Sequence, residues 1–562
     1  MRPSGFNGRA RGLFVLVVAP LVSVGVAAGM TCLGPGSDPL NRLYAGLFCA
    51  VLTQCALLAV GLVAGRPASV PLRRALSISH HWMGAMLGGV LFVICLSGAL
   101  SVLKPELRSW ETPTERQLAQ APLAQAPIGL DDLLAQALAA FPEADSLQFD
   151  RPEAGPGPWH VQPMRSQQRS TNPAPTLSVP PVPAVHGDLT GIVTRLHNTF
   201  FAGFPGRVFV SLFGFALGAL VVGGVVLHPR QEGTLWRLRL RAGLRTAAYD
   251  AHRLLGLWLA PLLLLIAVTG VFSGLGALAT LQLAPFAFPE QPGQVMQALM
   301  QPYARPASGH RAPMASMDEL MLRHRRMNPD FRVQGISVHH WGDAHAYATL
   351  RGTQRWQLST AIFERYHYAL ADLSLLRHDS AARQGPFTQA FIAIQPLHFA
   401  RYADAASRWL HALAGLAGAV LAASGTWLWL KRHASDGSTP YLRPWLSGMT
   451  LGLVLACSAM LAITALTPDS WPSRERWQAM GFGLTWAGAL ICCLLPGKWR
   501  ARLPTTLLRL AAALLAVAAA ASLATQWRGA WQAPWPALSI NVLLLSSAIA
   551  FWGTARKLET TP

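Results

Sequence analysis

The chain has 562 residues, 52% of them hydrophobic and only 13% charged, with 46 lysines and arginines against 26 acidic residues and a net charge of +20. The apolar residues fall in runs of about twenty, which excludes a soluble globular protein and implies a polytopic α-helical membrane protein. The positive excess would suggest nucleic acid in a soluble chain. Here it gathers in short loops between apolar runs, where it orients membrane helices, so the first partner implied is membrane lipid and not nucleic acid.

The first apolar run, Leu13 to Leu33, follows Arg2, Arg9 and Arg11. Its length, the lack of an Ala-x-Ala site before Gly34-Pro-Gly-Ser and the immediate second run, Leu43 to Val63, predict a retained helix rather than a signal peptide. Residues 1–75 therefore hold two N-terminal membrane helices. Arg66, Arg73 and Arg74 precede a third helix, within 76–104, that opens near His80. A polar segment, 105–196, leads to a fourth helix and a basic loop within 197–249, where Arg230, Arg237, Arg239, Arg241 and Arg245 cluster. A fifth helix (250–281), a second polar segment (282–397) and a sixth helix (398–433) follow. Residues 434–562 carry four further runs, Leu446–Thr467, Trp477–Leu495, Leu507–Thr525 and Pro536–Trp552, which lack histidine and read as structural. Carrying the basic-loop rule along the chain places every arginine-rich loop on one side. The expectation is about ten membrane helices in the inner membrane, with both termini cytoplasmic and both polar segments in the periplasm.

In the first polar segment, Leu130–Phe141 has helical periodicity, Ser146–Phe149 and Trp159–Val161 alternate as strands, and the Pro/Ser/Thr/Gln-rich stretch Ser166–Ala184 reads as a flexible loop. The second segment predicts a helix over Met317–Met327 and strands over Phe331–His339, Ala346–Leu350 and Trp356–Phe363. Each is a small α+β unit. Their basic residues, among them His310, Arg325, Arg326, His339, His340, His345, Arg351 and Arg355, are candidates for meeting an acidic ligand, and the simpler expectation is solvated surface.

The chain repeats itself. His80-His-Trp-Met-Gly84 and His252-Arg-Leu-Leu-Gly256 open the third and fifth helices. After each polar segment comes Leu196-His197 with Arg207, Gly214 and Gly224, then Leu397-His398 with Arg408, Gly415 and Gly425, at identical spacings. A histidine at the edge of a membrane helix is costly unless something satisfies it, and four at repeated positions outweigh the alternative of interfacial caps. Duplication would bring equivalent helices together about a pseudo-two-fold axis, setting His80 against His252 on the cytoplasmic side and His197 against His398 on the outer side. Two facing imidazoles form a bis-axial site for haem iron. The small residues Gly84, Gly88, Gly89, Gly214, Gly218, Gly223, Gly224, Gly256, Gly415, Gly418 and Gly425 would admit a flat macrocycle or a closely packed helix. Zinc and copper fit less well, because no third and fourth ligand accompanies either pair. Three further histidines, His411, His81 and His228, are possible additional haem ligands: His411 is the leading alternative on the outer side, His81 points about 100° away from His80 on a helix, and the other reading of His228 is a helix-end cation. None of the seven cysteines forms a CxxC or CxxCH motif, so any haem is held non-covalently.

These motifs resemble the PepSY-associated transmembrane family, over about residues 76–433. Its pattern is a helix opening on H-x-W/L-x-G, an outer PepSY domain, and a returning helix opening on L-H with a G-x-P-G-type turn, here Leu196-His197-Asn-Thr-Phe-Phe-Ala-Gly-Phe-Pro-Gly206. The second return departs from it, reading Leu397-His398-Phe-Ala-Arg-Tyr-Ala-Asp-Ala-Ala-Ser-Arg408. The resemblance, to a family that includes di-haem inner-membrane siderophore reductases, implies an internally duplicated four-helix haem-binding core and two periplasmic PepSY-like domains. It further implies two haem b groups on His80, His252, His197 and His398, and reduction of a ferric siderophore or other iron chelate to release iron(II) for uptake. No nucleotide-binding motif is visible, so electrons would come from quinol or a cytoplasmic reductase. The alternatives are a haem-free PepSY binding or regulatory protein and an iron or siderophore transporter component. The internal repeat favours the latter, and the uncharged run Leu254–Leu281 counts against it.

Overall fold

A computed structural model describes residues 18–33, 38–64, 71–120, 129–151, 159–164, 177–179, 185–228, 236–239, 241–433, 439–497, 500, 502–528 and 535–560. Two helices come first, α1 (Ala19–Leu33) and α2 (Pro39–Ala64). The first copy of the repeat supplies α3 (Leu72–Val102), α4 (Lys104–Glu111), α5 (Leu130–Ala140), α6 (Leu189–Thr199) and α7 (Gly203–Leu227). The second supplies α8 (Leu244–Trp258), α9 (Ala260–Ala287), α10 (Met317–Met327), α11 (Pro386–His398) and α12 (Asp404–Arg432). Four helices close the chain, α13 (Thr439–Leu466), α14 (Arg474–Leu494), α15 (Leu503–Arg528) and α16 (Trp535–Thr560). Among the described residues nine helices are long and apolar enough to cross a membrane, and α1 is a shorter apolar tenth. Residues 13–17 of the run that ends in α1 lie outside the described residues.

At the centre, α3 lies along α12 and α7 along α9, so the opening helix of each copy packs on the returning helix of the other. The crossings obey a two-fold. A methyl placed on Gly415 would stand 3.1 Å from the Cys95 carbonyl oxygen and 3.0 Å from Ala99, and one on Gly214 would stand 2.8 Å from the Ala267 carbonyl oxygen and 2.6 Å from Val271. Cys95 and Ala267, like Ala99 and Val271, are separated by the same 172 residues as His80 and His252. These glycines let backbones touch where no hydrophobic force between helices is available in lipid.

The first two flanking helices pack on the second copy, and the closing helices pack chiefly on the first. Against the second copy, Tyr44 of α2 stacks on Phe391 of α11 at 4.0 Å, and the Asn41 side chain accepts the Phe387 amide at 2.9 Å. Against the first copy, Phe92, Leu189, Met449, Leu453 and Ile540 share one core, and Trp110 Nε1 donates to Asn541 Oδ1 at 2.9 Å. The closing helices also carry polar groups that their apolar runs conceal. Arg474, 1% exposed, donates to the carbonyls of Glu111, His186 and Thr464, and Gln478 donates to Glu111 Oε1 at 2.9 Å.

The two polar segments, read separately in sequence, share one sheet. Strands β1 (Ser146–Asp150), β2 (Trp159–Pro163), β3 (Leu177–Val179), β4 (Phe331–His339), β5 (Tyr347–Gln354), β6 (Arg365–Ala369) and β7 (Leu375–Asp379) lie in the order β3-β2-β1-β4-β5-β6-β7, with every neighbouring pair antiparallel. The seam is β1 on β4, with Ser146 opposite His339 and Asp150 opposite Gly335. The helices repeat this exchange. Asp318 of α10 accepts the Leu130 and Asp131 amides of α5 at 2.8 and 3.2 Å, while Asp131 accepts the Met317 amide of α10 at 2.6 Å. Each aspartate thus neutralises the other helix's free N–H groups and positive dipole end. The β3 strand falls inside the stretch read as a loop, whose remaining residues lie outside the described ones. Trp356–Phe363, expected as a strand, is turn and coil, with Trp356 at a positive φ of 67° that a strand cannot accommodate. The strands after β5 are instead β6 and β7.

Candidate functional site

The four repeated histidines meet in two pairs. His80 lies well inside α3 rather than at its mouth, and His252 lies on α8, which a break at Leu259 separates from α9. His197 and His398 lie just outside the start of the returning helices α7 and α12. They end the short helices α6 and α11. Left-handed residues after each of these helices, Phe200 and Phe201 in copy one and Ala400 and Asp404 in copy two, reverse the chain into α7 and α12. The ring centroids of His80 and His252 are 6.4 Å apart, and those of His197 and His398 are 6.3 Å apart.

Each ring rests on a glycine of its own copy. A methyl on Gly98 would come 2.7 Å from His197 Cε1, one on Gly270 3.2 Å from His398 Cε1, one on Gly425 2.9 Å from His252 Cε1, and one on Gly224 3.5 Å from His80 Cε1. Gly98 and Gly270 are absent from the sequence-based set of small residues. The signal was present, since each lies 18 residues beyond the histidine that opens its copy.

Neighbouring groups select the imidazole tautomer. His197 Nδ1 is 3.0 Å from the Ile94 carbonyl oxygen, which can only accept. His398 Nδ1 is 3.0 Å from Thr269 Oγ1, and His252 Nδ1 is 3.0 Å from Ser424 Oγ; both hydroxyls spend their own protons on helix carbonyls, those of Leu265 and Leu421. In all three rings Nδ1–H therefore donates, which leaves the lone pair on Nε2 for a metal. His80 Nδ1 is buried with no hydrogen-bond partner among the described residues.

Both pairs border cavities. The one at His80 and His252 has a volume of about 1090 Å³ and includes Gly84, Gly88, Gly256 and Gly418 in its wall. His81 and His228 also line it, so His81 faces the same space as His80 despite its angular offset on the helix. His228 caps the end of α7, as a helix-end residue should. Arg74, Arg245 and Arg432 stand in the wall, exposed, and make the end of this cavity cationic. The cavity at His197 and His398 has a volume of about 250 Å³ and is lined in part by Arg207, Gly214, Gly270 and His411. The repeated arginines have diverged. Arg408 donates to Glu106, 2% exposed, at 2.7 Å, whereas Arg207 reaches the Ser273 carbonyl at 2.6 Å.

The pairs suit a haem iron. With metal–imidazole bonds of about 2 Å and about 1.2 Å from ring nitrogen to ring centre, two rings on one iron have centroids about 6.4 Å apart. The observed spacings are compatible with this, and so are the Nε2 lone pairs of His197, His252 and His398 and the glycine-walled cavities.

Three of the outer histidines and arginines serve the sheet, while His310, Arg325, Arg326 and Arg355 are exposed. His339 stacks on Tyr347 at 4.4 Å and bonds Ser146 Oγ at 2.9 Å, Arg351 pairs with Asp150 at 2.8 Å, and His340 pairs with Asp145 at 2.7 Å. Burial holds His324 and His339 well below the usual histidine range, each at about 4.

The model of the PepSY-associated TM region matches residues 78–432, the stretch that contains the four paired histidines, the outer sheet and the four central helices apart from the start of α3. The chain belongs to the PepSY-associated transmembrane family. An uncharacterised protein of Pseudomonas aeruginosa is similar to it, 41% identical over 377 residues, which cover 63% of this chain and 91% of that relative. The chain is thus a multi-pass PepSY-associated transmembrane protein, and the six flanking helices α1, α2 and α13–α16 lie outside the family match.

Proposed function

We propose that the chain is an inner-membrane electron-transfer protein, with both termini cytoplasmic, that holds two haem b groups non-covalently. His80 and His252 would ligate one, and His197 and His398 the other. The protein would reduce a ferric siderophore or similar iron chelate at the periplasmic face. The observation that carries this reading is the pair of imidazole couples at 6.3 and 6.4 Å, one near each end of the same four helices.

A haem held by two imidazoles supplies one-electron transfer. The chain's own residues do the rest. Ile94, Thr269 and Ser424 fix the tautomers, and the glycines let the histidine-bearing helices close on their neighbours. His80 and Gly98, which mark the two levels on α3, are 18 residues apart, about 27 Å of helix against a hydrocarbon thickness of about 30 Å. Arg74, Arg245 and Arg432 offset negative charge at the cytoplasmic end. At the other face each iron(III) takes one electron, and the resulting larger, softer iron(II) is held poorly by the hard oxygen ligands of a siderophore. The electron donor would be quinol or a cytoplasmic reductase.

The test is a visible spectrum of the purified full-length protein, oxidised and dithionite-reduced, with haem counted per chain. Near two b-type haems is expected. One should be lost in His80→Ala or His252→Ala, and the other in His197→Ala or His398→Ala. Protein without haem, made under adequate haem supply, would refute the reading. It would favour a membrane-anchored binding or regulatory protein, for which the self-contained core and reciprocal helix caps of the outer sheet speak.

A further inference from the structure

We infer that His411 is a positioning residue for His398 and not itself an iron ligand, an inference that rests on the reading of His398 as a ligand. The sequence left His411 open as an alternative ligand. Nε2 lies 3.0 Å from the Leu397 carbonyl oxygen, which can only accept, so Nε2 carries the ring proton; Nδ1 is then left to accept from the Tyr402 hydroxyl at 3.4 Å, and its 3.2 Å approach to the Ser407 carbonyl oxygen is a contact without a proton. The residue is 3% exposed, and its Nε2–H donates to the peptide that joins Leu397 to His398.

The two copies show why a side chain is needed there. In copy one, the Phe200 amide donates to the Leu196 carbonyl at 3.2 Å and the Phe201 amide to the Arg195 carbonyl at 3.4 Å, so the backbone itself closes the end of α6 behind His197. In copy two the corresponding amide, that of Arg401, goes to the Pro396 carbonyl at 2.8 Å. The Leu397 carbonyl, the counterpart of Leu196, takes its bond from His411 instead. The turn has changed in step. Gly206, where a methyl would come 1.8 Å from the Thr199 carbonyl oxygen, is replaced by Ser407, whose hydroxyl donates to the Ala400 carbonyl at 2.5 Å. Val210 occupies in copy one the position of His411. The second return, which lost the Gly-Phe-Pro-Gly sequence, regains a fixed histidine through a side chain reaching back from the next helix.

The experiment uses the full-length haem-loaded protein and compares His411→Leu, His411→Gln and His411→Asn with His398→Ala. The readouts are haem per chain, the rate of haem transfer to an apo-acceptor, the midpoint potential of each haem and low-temperature EPR. His411→Leu should release the outer haem about 10–100-fold more readily, as expected when a hydrogen bond that orients a ligand is removed. Its outer midpoint should shift while the remaining outer haem keeps the low-spin signal of two imidazoles. His411→Gln, which can reach Leu397, should restore retention; the shorter Asn should not. Loss of the low-spin signal in all three variants, as in His398→Ala, would make His411 a ligand and overturn the inference. Unchanged retention and potential in His411→Leu would overturn it as well. If His411→Leu loses both haems, the Gln and Asn variants decide, and equal behaviour of the two counts against the clamp. A wild-type protein without haem is a separate result that removes the underlying reading.

Discussion

Substituting alanine at each glycine beneath a histidine should damage the two sites to graded and calculable extents. Ordinary van der Waals contact begins near 3.4 Å. The new methyl would stand 2.7 Å from His197 in Gly98→Ala, 2.9 Å from His252 in Gly425→Ala, 3.2 Å from His398 in Gly270→Ala and 3.5 Å from His80 in Gly224→Ala. Gly98→Ala must therefore move His197 by about 0.7 Å, and Gly224→Ala need move nothing. His197 cannot yield freely, because its ring is tethered by the 3.0 Å bond to Ile94 of α3, the helix that carries Gly98. Overpacking of this kind costs about 1–3 kcal/mol, and the tether adds about 1 kcal/mol if it breaks. Replacing glycine by alanine within a helix returns up to about 1 kcal/mol of propensity in every variant. That gain is common to all four variants and cancels, so the ends of the series should differ by about 2 kcal/mol from overpacking alone, roughly 30-fold in haem retention, and by about 3 kcal/mol if the tether breaks. The assay is haem per chain and its transfer rate to an apo-acceptor, with the two sites separated by their midpoint potentials. Retention should rise from Gly98→Ala through Gly425→Ala and Gly270→Ala to Gly224→Ala, which should match wild type. If Gly224→Ala proves as damaging as Gly98→Ala, the contact argument is refuted, and the glycines serve only general helix packing.

The outer sheet should lose stability on acidification. His324 and His339 are held at about 4 by burial, whereas in the unfolded chain they titrate near 6.5. The unfolded state therefore binds protons first. Stability is full above pH 6.5, falls between 6.5 and about 4, and levels off below, with a loss of at most about 3 kcal/mol per histidine. Hydrogen exchange over residues 317–339, corrected for intrinsic rates, should show protection falling across that window; constant protection would contradict it. The diverged arginines offer a further check. Glu106→Gln leaves Arg408 facing a neutral partner in a buried place and should cost about 1–3 kcal/mol, read as a lower thermal midpoint in detergent. Arg207→Gln, which removes a bond to one carbonyl on an exposed side chain, should cost less than about 1 kcal/mol, and equal effects would mean that the ion pair is not a clamp.

Much of this architecture is written in local sequence, because local rules govern it. Runs of apolar residues fix the membrane class, since lipid offers no partner to an exposed backbone. Helix Met317–Met327 and strand Phe331–His339 follow from periodicity to the residue. The duplicated histidines imply facing pairs because equivalent positions meet across a two-fold. What the sequence left undecided depends on contacts between distant segments. The β1–β4 seam joins residues nearly two hundred positions apart, and nothing in a strand's pattern names the partner at its edge. The final helix ends also lay beyond local reading. The Leu-His pairs just outside the membrane helices close shorter ones, because left-handed turns at Phe200 and Ala400 intervene. His411 shows the limit most clearly. Its sequence permits a ligand, and only the position of the Leu397 carbonyl, left without the bond its counterpart receives, shows that the ring's nitrogens are already committed.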